Sequence, residues 1–158
     1  MYWIETKRCI VAEVPIVYKN KILLMEHRKL GGWFYTGGHV NPGEIPEDAA
    51  MREAKEESGL DVEIVNCGKE RTVSGVNRAK GPLCIGLMTY NYKSGRHLHY
   101  EIFFLARPKN GIKGLKRNRK ESLDMGWFSK RELKGLDMTP NAYGISRMAL
   151  DTARKLGI

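Results

Sequence analysis

"GGHVNPGEIPEDAAMREAKEESGL", from Gly37 to Leu60, decides how this chain folds. Pro46 suits the first turn of a helix, Glu47 and Asp48 suit its positive end, and Gly59 suits its C-terminal cap. These signals predict a helix over residues 46–58. Wound at about 100° per residue, it gathers Glu53, Glu56 and Glu57 within about 100° of its circumference. Like charges three and four residues apart weaken a helix, so the arrangement asks for a compensating reason. Arg52 stands four residues before Glu56, where it can hold that carboxylate, and Ala49 and Ala50 leave this side open to close approach. Upstream, Gly37, Gly38 and Gly43 bracket a tight turn that can bring backbone groups to the same face.

A solvated acidic face paired with lysines would explain the helix alone. It does not explain the glycine turn beside it. Three carboxylates converging on such a turn call for a cation, and oxygen-only ligands favour a hard ion such as Mg²⁺ or Mn²⁺. Magnesium keeps part of its coordination for water and substrate phosphates, so phosphoryl chemistry is the expected use.

Upstream of this stretch, "CIVAEVPIVY" at 9–18 and "KILLMEHR" at 21–28 read as two strands joined by a Lys19-Asn20 turn. Downstream, strands are expected at 61–72, 83–92 and 98–107, with "KSGR" at 93–96 as a hairpin turn. Residues 107–124 read as basic and irregular, and "MGWF" at 125–128 as a short strand. Ser129 with Glu132 makes a capping box for a brief helix, and Asn141 is placed to cap a last helix over 142–156. Strands, helix, strands, helix: the class is α/β, a mixed sheet packed between helices.

The chain has 158 residues, the size of one domain, 1–158. Its net charge of +9 attracts polyanions, phosphorylated small molecules and nucleic acids alike, though excess lysine also serves solubility. No apolar run reaches the roughly 18 residues of a membrane span. "MYWIETKR" carries no signal core, and Cys9, Cys67 and Cys84 show no metal or disulfide spacing. A cytoplasmic protein with three buried thiols is expected.

Gly38, five residues, Glu44, seven residues and then "REAKEESGL" at 52–60 reproduce the signature of the Nudix hydrolases at every fixed position. Chance agreement at a given start is on the order of one in 10⁸. "KILLMEHR…GGWFYTGG" resembles the family's lead-in, and "ESLDMGWFSKREL" at 121–133 resembles its late acidic loop, strand and short helix. Two positions depart from the family: Thr36 stands where a proline is usual, and Ile45 where a Ser or Thr cap is common. The resemblance implies an α/β/α sandwich around a mixed sheet. It also implies hydrolysis of nucleoside diphosphates linked to another group, using a divalent metal and water. Carried onto this sequence, Glu53, Glu56 and Glu57 ligate metal with the Gly37 or Gly38 carbonyl, Arg52 orients the carboxylates, and Glu44 braces the loop.

A base within reach of the attacking water is needed, and Glu53 or Glu57 fits. Glu121, six residues before Trp127, is spaced similarly to the late glutamate of MutT-like members; an exposed loop glutamate is the plain alternative. Glu101 is a rival that a lysine would equally explain. Among substrate contacts, Arg28 could reach a phosphate or form a surface ion pair. Trp33 could stack on a base or only pack. Asn141 could read a purine edge or only cap its helix. Arg71, Arg78 and Lys80 could meet phosphates or only water. His97 and His99 share a strand face, a metal pair lacking a third ligand.

The expected partner is a nucleotide, a nucleoside triphosphate first of all, giving monophosphate and pyrophosphate. ADP-ribose, a dinucleoside polyphosphate or an RNA 5′ end are the alternatives, although no aromatic-interleaved basic motif of an RNA module is present. A non-catalytic nucleotide-binding domain would lack a metal glutamate, and none is missing here. A homodimer through strands such as "EIFFLAR" is allowed, as is their burial within one domain.

Overall fold

The computed structural model describes residues 6–69, 74–75 and 79–158. The strands are β1 (Lys7–Val14), β2 (Val17–Tyr18), β3 (Lys21–His27), β4 (Trp33–Phe34), β5 (Thr36–His39), β6 (Val62–Ile64), β7 (Cys84–Tyr92), β8 (Gly95–Phe103), β9 (Ala106–Ile112) and β10 (Ser122–Ser129). The helices are α1 (Pro46–Ser58) and α2 (Pro140–Leu156), with a 3₁₀ turn at Glu132–Gly135. None of the helices among the described residues is long and apolar enough to cross a membrane.

Helix α1 runs where its punctuation puts it. Gly59 closes it in the left-handed region at φ 73°, its N–H donating to the Lys55 carbonyl. Ile45 gives no side-chain cap, leaving Pro46 and the acids of the first turn to mark the start. Lys19 and Asn20, at φ 48° and 60°, make the two-residue hairpin turn between β2 and β3. Ser129 and Glu132 exchange the bonds of a capping box at the 3₁₀ turn, the Ser129 N–H donating to the Glu132 carboxylate and the Glu132 N–H to the Ser129 hydroxyl.

The first sheet runs β5-β1-β8-β7, with β1 parallel to β8 and antiparallel to β5. A second runs β10-β3-β2 with β4 beside β3, and β6 pairs β9. Alternation along β3 divides the core. Leu23 joins Ala12, Val14 and the Ala49, Ala50 and Ala54 face of α1, while Ile22 and Leu24 join Ala142, Ala149, Leu150 and Ala153 of α2. The helices thus cover opposite sides, an α/β/α sandwich. Alanines bury little area each, about 0.8 kcal/mol per CH₂. Their use in α1 is nearness, bringing Glu53 and Glu57, which share this side of the helix, up to β5.

Two predicted strands are each divided, and for one reason. Residues 9–18 break at Pro15, and 98–107 break between Phe103 and Ala106. Proline has no N–H to give to the ladder. The pairing of β1 with β8 therefore ends here, although Phe104 still donates to Glu13 and Ala106 to the Pro15 carbonyl. Beyond the break Ile16 still bridges Ala106, and then β2 pairs with β3 and β9 with β6. The segment expected to be irregular after residue 107 consequently begins as β9, continuing to Ile112.

Other boundaries also differ. The strand expected at 61–72 ends at Ile64, residues 70–72 of it lying outside the described residues. The short strand at 125–128 extends over Ser122–Ser129, because it lines the whole of β3. Thr139, not Asn141, caps α2: its side chain accepts from the Ala142 N–H, and Asn141 falls inside the first turn.

Candidate active site

The glutamate side of α1 faces the Thr36–His39 strand so closely that glycine is required. A Cβ at Gly38 would fall on the Glu53 carboxyl group. The Gly37 N–H donates to Glu57 Oε2 at 2.9 Å. Thr36, where a proline is usual in the family, is buried and donates its hydroxyl to the Val14 carbonyl at 2.9 Å. The departure from proline therefore leaves the strand firmly held.

Arg52 is the fastener of this corner. Its guanidinium donates to both Glu44 oxygens, at 2.9 and 3.0 Å, to Glu53 at 2.6 Å and to the His39 carbonyl at 3.0 Å. Glu44 also accepts from the Asn41 N–H, so loop, helix and strand meet through one side-chain pair. These bonds hold the Glu44 carboxyl below its ordinary range, the Arg52 hydrogen bond first. Glu56, the partner expected from i,i+4 spacing, is more distant at 3.6 Å and stays exposed. The planar fork prefers Glu44, which meets it with two oxygens.

Glu121 arrives from the far end of the chain. The loop between β9 and β10 docks on the C-terminal carbonyls of α1, the Lys116 N–H on Ser58 and the Asn118 N–H on Glu57. It then turns so that Glu121 hydrogen-bonds the Glu57 carboxyl. Glu57 is only 2% exposed. Burial, then the Glu121 hydrogen bond, push it from 4.5 to about 10. Glu53 is also raised, burial leading, with Glu56 and Glu121 adding repulsion.

A carboxyl whose folded value lies above its unfolded one binds protons more tightly when folded, so stability falls as pH rises between the two values. For Glu57 that window runs from about 4.5 to about 10. Metal-free protein is accordingly expected to melt at a lower temperature at pH 9 than at pH 6, each kcal/mol lost costing about 2–4 °C. Melts in chelator across that range check it; a flat or rising profile contradicts it.

Arg28 lies on the outside of the Glu121 loop. Its N–H donates to the Glu121 carbonyl at 2.8 Å and its guanidinium to the Arg119 carbonyl at 3.1 Å. Trp33 packs edge-to-face on Phe128, ring centroids 4.9 Å apart, within the α2 side of the core. Asn141 is exposed on α2. The Lys80 ammonium donates to the Ile64 carbonyl at 2.7 Å, and Arg71 and Arg78 lie outside the described residues.

The other face of β1 holds groups that the alternating pattern "CIVAEV" disguised. Glu13 reads there as a solvent-facing residue, yet its carboxylate lies against Gly37 and is raised to about 8 by burial, then by Glu101 and Glu53. Among the described residues no lysine pairs with Glu101, which accepts from the Tyr90 hydroxyl at 2.8 Å. Cys9, a buried thiol as expected, is joined by His39 and His99, so the histidine strand face does gain further ligand-bearing neighbours. Cys67 and Cys84 are only half-buried.

The family model of the NUDIX domain matches residues 8–148. The human 8-oxo-dGDP phosphatase NUDT18 is 30% identical over 128 residues, covering 78% of this chain and 33% of its own length. The uncharacterized Nudix hydrolase YvcI of Bacillus subtilis is 25% identical over 121 residues, 77% of this chain and 66% of that protein. The chain thus spans about a third of the one relative and about two thirds of the other. Among solved structures, a NUDIX-family hydrolase from Clostridium perfringens superposes with a TM-score of 0.68 at 28% identity, covering 92% of this chain and 97% of that one. Signature, sandwich and converged carboxylates agree with these likenesses, and the chain belongs to the Nudix hydrolase family.

Proposed function

We propose that this protein is a Mg²⁺-dependent pyrophosphohydrolase of nucleoside triphosphates, releasing the monophosphate and pyrophosphate. One observation carries this reading: Glu53 and Glu57 lie side by side against a glycine strand with Glu121 brought up to Glu57, and burial with this crowding raises both Glu53 and Glu57 above their ordinary values. Such a set fits a hard divalent ion, whose charge would reverse the shifts. Glu53, Glu56 and Glu57, with the Gly37 or Gly38 carbonyl, are the residues to hold it. Mn²⁺ suits the same oxygen donors. When bound, the ion supplies charge neutralisation for the diphosphate and a water acidified toward neutral pH.

The chain's own groups do the rest. Gly37 fixes one Glu57 oxygen, and Arg52 fixes Glu53, so neither carboxylate must reorganise during reaction. Glu121, beside Glu57, helps raise it, so a proton taken from water by Glu57 is retained there. Positioning and electrostatics account for most of the rate in phosphoryl transfer.

A second substrate, an RNA 5′ end, is favoured by the loop that carries Glu121. Lys113, Lys116, Arg119 and Lys120 are exposed on it. An RNA pyrophosphohydrolase of Francisella tularensis is 33% identical over 86 residues, half of this chain. The test is a panel of nucleoside triphosphates, diphosphates including the 8-oxo-guanine forms, ADP-ribose and 5′-triphosphorylated RNA, with Mg²⁺ and products resolved by mass. Monophosphate plus pyrophosphate from a free triphosphate is expected. Turnover of RNA alone moves the assignment to the second substrate, and no turnover of the whole panel overturns both.

A further inference from the structure

Gly38 points at Glu53, and the residue after it points the other way, as successive residues of a strand must. His39 therefore emerges on the opposite face of the first sheet, at a position that β1 and β8 also furnish. Cys9 pairs with His99 in the parallel register, and Val11 pairs with His39 across β5. Cys9 Sγ, one ring nitrogen of His39 and one of His99 all lie within 4.8 Å of one another. His97 Nδ1 is 4.0 Å from the same sulfur, a fourth donor.

His99 adds an independent sign. It is 4% exposed, and its Nε2 is buried with no hydrogen-bond partner among the described residues. A buried ring nitrogen without a partner costs about 1–3 kcal/mol, a cost that ligation removes. Burial, with His39 and His97 nearby, holds this imidazole below its usual range, in the neutral form that binds metal.

We infer that Cys9, His39 and His99, with His97, form a second metal site, specific for a soft or borderline transition ion such as Zn²⁺ and distinct from the carboxylate centre. One thiolate and imidazoles are the donors of structural zinc, whereas magnesium takes oxygen. On a tetrahedral zinc, bonds of about 2.0–2.3 Å put neighbouring donors roughly 3.3–3.8 Å apart. The observed spread thus closes with about 1 Å of side-chain movement, and exposed His39 can supply it. Binding releases the Cys9 thiol proton to solvent. The ion would bridge β5, β1 and β8 from behind the catalytic strand.

Cobalt(II) reports this site without any assay of hydrolysis. The whole protein, saturated with Mg²⁺, is titrated with Co²⁺. One equivalent is expected to give the strong visible absorption of tetrahedral cobalt and a near-ultraviolet thiolate-to-cobalt band, both bleached by Zn²⁺. Cys9→Ser is expected to abolish the thiolate band. His39→Ala, on an exposed residue and so safe for folding, is expected to weaken cobalt binding at least ~tenfold. A pale octahedral spectrum, a thiolate band that survives Cys9→Ser, or unchanged affinity in His39→Ala would overturn the site, whatever the enzyme hydrolyses.

Discussion

Glu57→Gln lowers turnover by about 10²–10⁴-fold, the range for loss of an acid–base or ligand carboxylate, yet raises the melting temperature of metal-free protein above neutral pH. The two effects have one origin. Glu57 is buried, bonded to Gly37 and pressed against Glu121, and in the absence of a cation its ionised form is disfavoured until about pH 10. Glutamine keeps an acceptor for the Gly37 N–H and offers Glu121 a permanent donor. The cost of the charge disappears, together with its use. Steady-state kinetics with Mg²⁺ and melts in chelator measure the two halves. A variant that loses activity and also stability at pH 8.5 would show that the carboxylate braces the fold instead.

Gly38→Ala has the second largest expected effect. Its φ is not in the left-handed region, so backbone strain is not at issue; the space is. The new methyl group would occupy the place of the Glu53 carboxyl, which Arg52 holds at 2.6 Å. Either Glu53 turns out of the centre or β5 moves off α1, and both separate the carboxylates. Overpacking of this kind costs about 1–3 kcal/mol, and Mg²⁺ affinity is expected to fall at least ~tenfold, as for loss of ligand support. Isothermal titration with Mn²⁺ and denaturant unfolding check the pair. Gly43→Ala is the control: nothing lies within 4 Å of its Cβ position, and its φ of 81° strains alanine without touching the glutamates. Equal losses of metal affinity in both variants would contradict the steric account.

Much of this centre was legible because it is local. Pro46, the acids behind it and Gly59 punctuate α1 within its own sequence, and Glu53, Glu56 and Glu57 follow from helical period. Glu121 was legible only as a spacing from Trp127; what places it is the docking of its loop on the α1 carbonyls, a tertiary event. Glu13 was missed because period two assigns alternate residues to solvent, and in this interior strand its second face is buried too. The Cys9, His39 and His99 cluster depends on the parallel pairing of β1 with β8 and the antiparallel pairing with β5. Such long-range registers leave no mark in a single sequence. The same is true of the strand breaks, where Pro15 interrupts its neighbour as well as itself.

The buried Thr36 hydroxyl, tied to the Val14 carbonyl, has a meaning for anyone redesigning this scaffold. A strand of four residues has little of its own to choose between neighbouring alignments, and a slip of one place exchanges its two sides. Here that slip would aim an imidazole at the carboxylates and leave a bare backbone on the opposite side. A single hydroxyl thus acts as an indexing peg, and the alignment of β5 holds only while that peg stays in its hole.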